Sequence, residues 1–323
     1  MAAAVEARAS RGHGRAAVNV SASAKPIALV IGTGQLGQEL ARVPTSQLLL
    51  KVVGRETIDV TDAVATRAAI LKIRPSVVLN ATAYTAVDRA ETEPAAAFAV
   101  NRDGAMALAV VCAELGIPLI HVSTDYVFDG DGGPYTEKSA PAPRSVYGDS
   151  KLQGEIEVRS RLERHIILRT AWLFGSSGNN FVKTILRLSA IKSEMKVVDD
   201  QVGCPTPAAA LAQAMVALAE KAVVGGPLAW GTYHFAGQPA TNWRRFAEQI
   251  LDRAAAIGLI DSVPKVIPIT TAQYPTAARR PANSVLNCDA LASLGLAAPD
   301  WRAGLAAVLD DLRLARITGS VVH

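Results

Sequence analysis

Pro26-Ile27-Ala28-Leu29-Val30-Ile31-Gly32-Thr33-Gly34-Gln35-Leu36-Gly37 is the stretch that decides the fold class. Six residues ending in an unbroken apolar run predict a buried strand. A G-x-G-x-x-G turn follows without a gap, and Gln38-Glu39-Leu40-Ala41 continues as a helix. In that setting glycines let the backbone turn tightly and approach a pyrophosphate, whose charge rests on the helix N-terminus. The competing reading of the same three glycines is a plain strand-to-helix turn. What lies downstream favours dinucleotide binding.

Further apolar runs recur at regular spacing. Leu48–Val53 predicts a second strand, ended by Gly54 and Arg55. Ser76–Leu79, Ile117–Val122 and His165–Thr170 predict a third, fourth and fifth. Helical patterns separate them, among them a long one from about Pro94 to Leu115 and another from Tyr147 to about Leu162. Strands alternating with helices predict an α/β fold with a Rossmann-type, doubly wound parallel sheet, whose ligands lie outside the carboxyl ends of the strands. The pattern changes after Trp172. Residues 26–171 are expected to form the dinucleotide-binding domain and 172–323 mainly a smaller, substrate-binding lobe, some of whose segments could return to the first domain. A short strand at Met195–Val198, another at Gly231–Ala236 and helices near Ala208–Ala222 and Trp243–Ala256 are placed in that second part.

Residues 1–25, rich in Ala, Ser, Arg and Gly, show no apolar period. They read as a disordered extension or the product of an upstream start codon, with an organellar transit peptide as the alternative. They also hold most of the charge. Arg8, Arg11, Arg15 and Lys25 against Glu6 leave +3 of the chain's net +4, so the body is nearly neutral and gives no case for a nucleic-acid surface. No apolar run reaches the ~18 residues of a membrane span, so no membrane partner is expected. Cys112, Cys204 and Cys288 are scattered, which fits reduced thiols in a cytoplasmic protein. Cys112 falls in an apolar helical pattern and is expected in the core. No histidine pair has metal-ligand spacing, so no metal residues are assigned. His121 lies at a strand end and is expected to be structural rather than catalytic.

Ser123-Thr124-Asp125-Tyr126 follows the fourth strand, and Tyr147-Gly148-Asp149-Ser150-Lys151 opens a helix. Residues i and i+4 share a helix face, so Tyr147 and Lys151 project together. A nearby ammonium favours the tyrosinate, so Lys151 is expected to lower the Tyr147 pKa toward neutrality and suit it to proton donation. Thr124 could hydrogen-bond the same reacting oxygen. Arg55 stands where an acid would accept from a ribose 2′-hydroxyl. It reads either as a contact to a 2′-phosphate, favouring NADPH, or as a solvated loop arginine. Asn101, in the long helix, either organises groups near the site or lies on the surface.

Taken together, these stretches resemble the dTDP-4-dehydrorhamnose reductase family of the extended short-chain dehydrogenase/reductase superfamily. The resemblance spans roughly residues 26 to 315. It rests on GTGQLG at 32–37, NATAYTAVDRAE at 80–91, STDYVFDG at 123–130, YGDSK at 147–151, RTAWLFG at 169–175, GNNF at 178–181, DDQVGCPT at 199–206 and YPTAARRPANS at 274–284. It implies hydride transfer from NADPH or NADH to the C4 ketone of dTDP-6-deoxy-L-lyxo-4-hexulose, with Tyr147 as acid, Lys151 on the nicotinamide ribose and Thr124 on the carbonyl oxygen. It also implies cofactor contacts at Gly32, Gly34, Gln35, Leu36, Gly37, Arg55, Asp59, Val60, Ala81, Thr82 and Ala83. Substrate contacts are implied at Val87, Asp88, Thr124, Asp125, Tyr126, Trp172, Asn179 and Arg280. Many members have one more residue between the first two glycines, so the turn here is tighter. Some dimerise through Mg2+ held by acidic residues. Glu39 matches one such position with no partners placed, which leaves a homodimer and Mg2+ open. The alternatives are another 4-keto nucleotide-sugar reductase or epimerase, and a non-catalytic regulatory subunit such as that of eukaryotic methionine adenosyltransferase.

Overall fold

A computed structural model describes residues 25–318. The expectation of disorder before residue 26 falls, Lys25 apart, outside these residues. Five strands, β1 (Ile27–Ile31), β2 (Leu49–Val53), β3 (Val77–Asn80), β4 (Leu119–Thr124) and β5 (His165–Thr170), form a parallel sheet with a sixth, Gly231–His234. The order across the sheet is Gly231–His234, β5, β4, β3, β1, β2. The connection from β1 runs to β2 on one side, and the chain then crosses to β3 on the other. The crevice beyond the ends of β1 and β3 is therefore the topological switch point, where ligands of such sheets bind.

Period-two alternation sorts these strands onto two cores. Ala28, Val30, Val77, Leu79, Ile120, Ile166 and Leu168 face one, with Leu36 and Leu40 of α1 (Gln35–Arg42) and Leu211, Met215 and Leu218 of the helix Ala208–Val224. Leu29, Ile31, Val78, Leu119 and Ile167 face the other, beneath Ile70 of α2 (Ala63–Ile73). Side chains of opposite parity leave opposite faces of a strand, so an all-apolar run buries both faces. Two segments beyond Trp172 thus return to the sheet. The strand Gly231–His234 pairs parallel with β5, and the helix Ala208–Val224 covers one face.

The other segments beyond Trp172 form a third core. It gathers Phe174, Val182, Ile185, Met195, Val197, Phe246, Ile250, Trp301 and Leu305 from three helices and a parallel strand pair, Glu194–Val198 with Lys265–Ile269. Two short helices, α3 (Val87–Ala90) and α4 (Pro94–Phe98), precede it in the chain. α4 runs through a π-helical turn, Ala99–Asp103, into α5 (Gly104–Leu115). The stretch Pro94–Leu115 is 22 residues, with mean hydropathy 1.4 over an 18-residue window, long and apolar enough to cross a membrane by length and composition only, although Asn101-Arg102-Asp103 breaks its apolar run. Here Leu108, Val111 and Cys112 face the second core, as a core helix requires. The helix α6 (Val146–Arg161) packs beside it, started by the Ser145 hydroxyl, which accepts from the Gly148 amide at 3.1 Å.

Candidate active site

The glycine turn is built for close approach. Gly32 has φ +115°, and a Cβ there would stand 2.9 Å from the carbonyl of Ala81. A Cβ on Gly37 would lie 1.9 Å from the Gly32 oxygen, so α1 sits directly on the turn. Gly34, the N-cap of α1, has no side-chain cap and open space around its Cβ position. Among the described residues no side chain caps the first amides of α1, which face the cleft and fit a pyrophosphate. Asn80, at the end of β3, shapes the opposite wall. Its Oδ1 accepts from the Thr82 amide at 3.0 Å and the Thr82 hydroxyl at 2.6 Å, and its Nδ2 meets Nδ1 of His121 at 2.9 Å. His121 is buried, and burial holds its pKa well below the ordinary value. It is a neutral structural side chain.

The cleft holds about 400 Å³. Gly34, Gln35, Leu36, Ala81, Thr82 and Ala83 line its cofactor end. Thr124, Asp125, Tyr126, Tyr147 and Lys151 line its floor, with Val87, Trp172 and Asn179 at the far side. Five expected cofactor residues stand outside this lining. Gly32 and Gly37 shape it from behind. Arg55 is exposed and its Nε donates to Asp59 at 3.0 Å. The Asp59 carboxylate also accepts from the Thr61 amide and hydroxyl, and those bonds hold its pKa below the ordinary value. Val60 is buried in the second core, where it covers the glycine at the start of α5, so its side chain does not reach the cleft.

At the floor, Thr124 ends β4 while Tyr147 and Lys151 stand one turn apart on α6. Lys151 is 2% exposed and its Nζ donates to the Val122 carbonyl at 2.6 Å. Burial pushes its pKa down to about 8, against the opposing pull of Glu155. Burial pushes the Tyr147 phenol the other way, well above its ordinary value, with the Thr124 hydroxyl opposing. The expected lowering by Lys151 is thus corrected: desolvation dominates the phenol, and Lys151 is not among the groups that shift it. Tyr147 lies in an apolar pocket with Ala90 and Ala97, edge-on to Tyr126 at 5.5 Å. Asn101 is buried, not on the surface. Its Oδ1 accepts from the Tyr84 amide at 2.9 Å. Its Nδ2 donates to the Ser150 hydroxyl at 2.9 Å, which in turn donates to the Tyr147 carbonyl at 2.8 Å. The π-helical turn that carries Asn101 so pins the first turn of α6.

A second cavity of about 690 Å³ shares Thr85, Val87, Tyr126, Leu173 and Trp243 with the first. Asp88 and Arg280 line it. The Arg280 guanidinium donates to Asp88 at 2.6 Å and to the Tyr126 hydroxyl at 3.1 Å, and Asp88 also accepts from the Ala278 amide. The Arg-rich loop is thereby tied to α3 across the cleft. Trp172 adopts φ +47°, a strained conformation for a bulky residue, and stacks on Trp243 at 3.5 Å. Asp125 is buried beside Thr124, whose hydroxyl donates to it at 2.9 Å, and burial pushes its pKa up to about 6.

Sequence reasoning missed Trp243, whose Nε1 donates to Gln201 at 3.1 Å, and the buried pair of Glu155 with Arg169. Trp243 had only its place after the helix-capping Asn242 to mark it. Glu155 had a better signal, falling one further i+4 step beyond Lys151. Among the described residues no group of three or more His, Cys, Asp or Glu could hold a metal ion. Glu39 is buried and paired with Arg42 at 3.3 Å.

A family model described as RmlD substrate binding domain matches residues 26–314. The dTDP-4-dehydrorhamnose reductase of Aggregatibacter actinomycetemcomitans is 41% identical over 282 residues, which is 86% of this chain and 96% of that protein. The chain belongs to the dTDP-4-dehydrorhamnose reductase family. Its namesake in Escherichia coli strain K12 is 38% identical over 286 residues, 87% of this chain and 95% of its own. A dTDP-4-dehydrorhamnose reductase from Bacillus anthracis str. Ames, solved in complex with NADP, matches with a TM-score of 0.82 at 34% identity, covering 89% of this chain and 99% of that one. The match to the RmlD substrate binding domain model includes the glycine turn at one end and Arg280 near the other, so both halves of the cleft lie inside it.

Proposed function

We propose that this chain reduces the C4 ketone of dTDP-4-dehydro-L-rhamnose (dTDP-6-deoxy-L-lyxo-4-hexulose) to dTDP-L-rhamnose with NADPH or NADH. The observation that carries this reading is the convergence of Thr124, Tyr147 and Lys151 on the floor of a cleft. At one end is the uncapped N-terminus of α1, and at the other a cavity that Arg280 lines. A bound nicotinamide cofactor supplies the hydride. Tyr147, kept neutral by burial, gives its phenolic proton to the alkoxide that develops at C4. Lys151 holds the ribose and offsets the charge left on the phenolate. The Thr124 oxygen accepts from the Tyr126 amide, and its one hydroxyl hydrogen, given to Asp125 in the free protein, turns to the carbonyl oxygen when the keto sugar binds. Arg280 brings positive charge toward the diphosphate. Loss of NADPH absorbance on adding the keto sugar, run beside NADH and a substrate-free control, tests the assignment. Bound cofactor without turnover would overturn it.

The charge on Lys151 sets the pH dependence. Its ammonium is fully present below its pKa and is lost as pH rises through about 8. We expect kcat/KM for reduction to fall on the basic side with that midpoint. A profile flat to the ordinary lysine value would take Lys151 out of the chemistry. At the other end of the cleft, Arg55 is exposed and lightly held by Asp59, free to exchange that partner for a 2′-phosphate. Arg55→Ala is expected to raise KM for NADPH about tenfold, the size of a lost charge-assisted hydrogen bond, and to leave KM for NADH nearly unchanged. Equal changes for both cofactors would show that Arg55 does not read the phosphate.

A further inference from the structure

We propose that Glu155 is a positioning residue of this site, whose buried carboxylate keeps the Lys151 ammonium charged and in register with Tyr147. The inference rests on the reading that Tyr147 and Lys151 serve the reduction. Tyr147, Lys151 and Glu155 succeed one another at i+4 on α6, so they form one stripe along its inner face. Glu155 is completely buried. Its Oε1 accepts from the Ser123 hydroxyl at 2.6 Å and from Arg169 Nε at 2.9 Å. Its Oε2 accepts from Arg169 Nη2 at 2.7 Å and from Arg159 Nη1 at 2.9 Å. The carboxylate therefore has donors from β4, β5 and α6 at once, and neither oxygen is left over.

A buried ion pair is weak evidence for stability, because two apolar side chains of the same volume often do as well or better. What an apolar pair could not do is act on a second buried charge. Lys151 is such a charge, and its hydrogen bond goes to a neutral carbonyl, that of Val122. In a medium of low dielectric, an anion one turn away opposes the desolvation that would otherwise strip the proton. Among the described residues, Glu155 is the acid whose pull on Lys151 stands against burial. Although burial works against it, Glu155 is itself held below the ordinary carboxylate range by Arg169, Ser123 and Arg159, so it stays ionised.

The other groups facing this pair come from each neighbouring element. β4 brings His121, which burial keeps neutral, and the turn after it brings Asp125. β5 brings Arg169, which lies 5.1 Å over the Phe128 ring, and α6 itself brings Tyr147 and Arg159. From the π-helical turn, Arg102 and Asp103 pair with each other and face Asp149 and Glu157 along α6. Of all these, Arg159 is the informative one. It is about one-third exposed and sits on the same carboxylate, so removing it strengthens the field of Glu155 at Lys151 without emptying a buried site.

The test measures two pH profiles for the full chain. One is kcat/KM for the keto sugar, and the other is NADPH affinity followed by quenching of tryptophan fluorescence. Glu155→Gln, which keeps shape and an acceptor for Ser123, is expected to move the basic limb of both profiles down by about one pH unit, the scale of a lost charge one turn away at intermediate dielectric. Arg159→Gln is expected to move both limbs up. A carboxylate that only holds α6 in place would lower Tm and leave both limbs where the unaltered protein has them, and that result overturns the proposal. Should Glu155→Gln not fold, Arg159→Gln decides alone, and a limb that stays or falls is the overturning outcome. An unaltered protein that binds NADPH with this pH profile but never turns over the keto sugar would refute the assigned reaction and not the role of Glu155.

Discussion

Tyr147→Phe is expected to bind NADPH as the unaltered protein does and to turn over the keto sugar about 10²–10⁴-fold more slowly, the range for a lost general acid. The variant removes a single oxygen from a ring that stays packed against Ala90, Ala97 and Tyr126, so the fold has no reason to change. What it removes is a phenolic proton donor that lines the same cleft as the Thr124 hydroxyl and the buried ammonium of Lys151. Burial raises the phenol's pKa in the free protein, which keeps the proton on the ring until an alkoxide of higher basicity arises to take it. A kcat within a fewfold of the unaltered value, with NADPH bound, would remove Tyr147 from the mechanism. A Thr124→Val variant then separates the two hydroxyls, since it keeps the phenol and loses the Thr124 hydroxyl with its bonds to Asp125 and the Tyr126 amide.

Arg169→Met is expected to destabilise the protein by about 3–5 kcal/mol, the usual cost of leaving half of a buried ion pair unpaired. At about 2.1 cal/mol/K of unfolding entropy per residue, a chain of this size loses roughly 5–8 °C in Tm for that change. Arg169 is 3% exposed and Glu155 is not exposed at all, so water cannot replace the two guanidinium bonds that vanish. Ser123 and Arg159 still serve the carboxylate, which keeps the expected loss from exceeding that range. Arg169→Lys should fall between, because an ammonium restores the charge and not the two-pronged geometry. Thermal unfolding of the three proteins checks the order. A Tm for Arg169→Met equal to that of the unaltered protein would show that the pair carries no stability.

The features legible in the chain were local ones. The glycine turn, the apolar runs that sort by parity onto two cores, and the step from Tyr147 to Lys151 each depend on residues within a few positions of one another. Backbone geometry converts such spacing into a face or a turn whatever surrounds it. The fourth strand came out displaced by two residues, because Ser123 and Thr124 continue it where their polarity suggested an end. The Rossmann-type sheet and the meeting of Tyr147 with Lys151 on one helix face could be reached on those terms; the family came from the resemblance of eight motifs in order.

Other features depended on pairings between residues far apart, and no local spacing encodes them. The strand Gly231–His234 joins β5 because both edges were free and apolar helices could cover them, which is a property of the assembled sheet. Asn101 took its role from Tyr84 and Ser150, and Trp172 took its place from the ring of Trp243. Arg280 reached Asp88 across most of the chain. The direction of the Tyr147 shift is the clearest case. Counting charges along α6 predicts a lowered pKa, but the cost of ionising a phenol depends on how much water its neighbours exclude, and only the packed structure sets that. The sequence alone determined which groups would meet on one helix face. The tertiary structure alone decided how deeply they were buried, and burial is what raises the pKa of the phenol and lowers that of the ammonium.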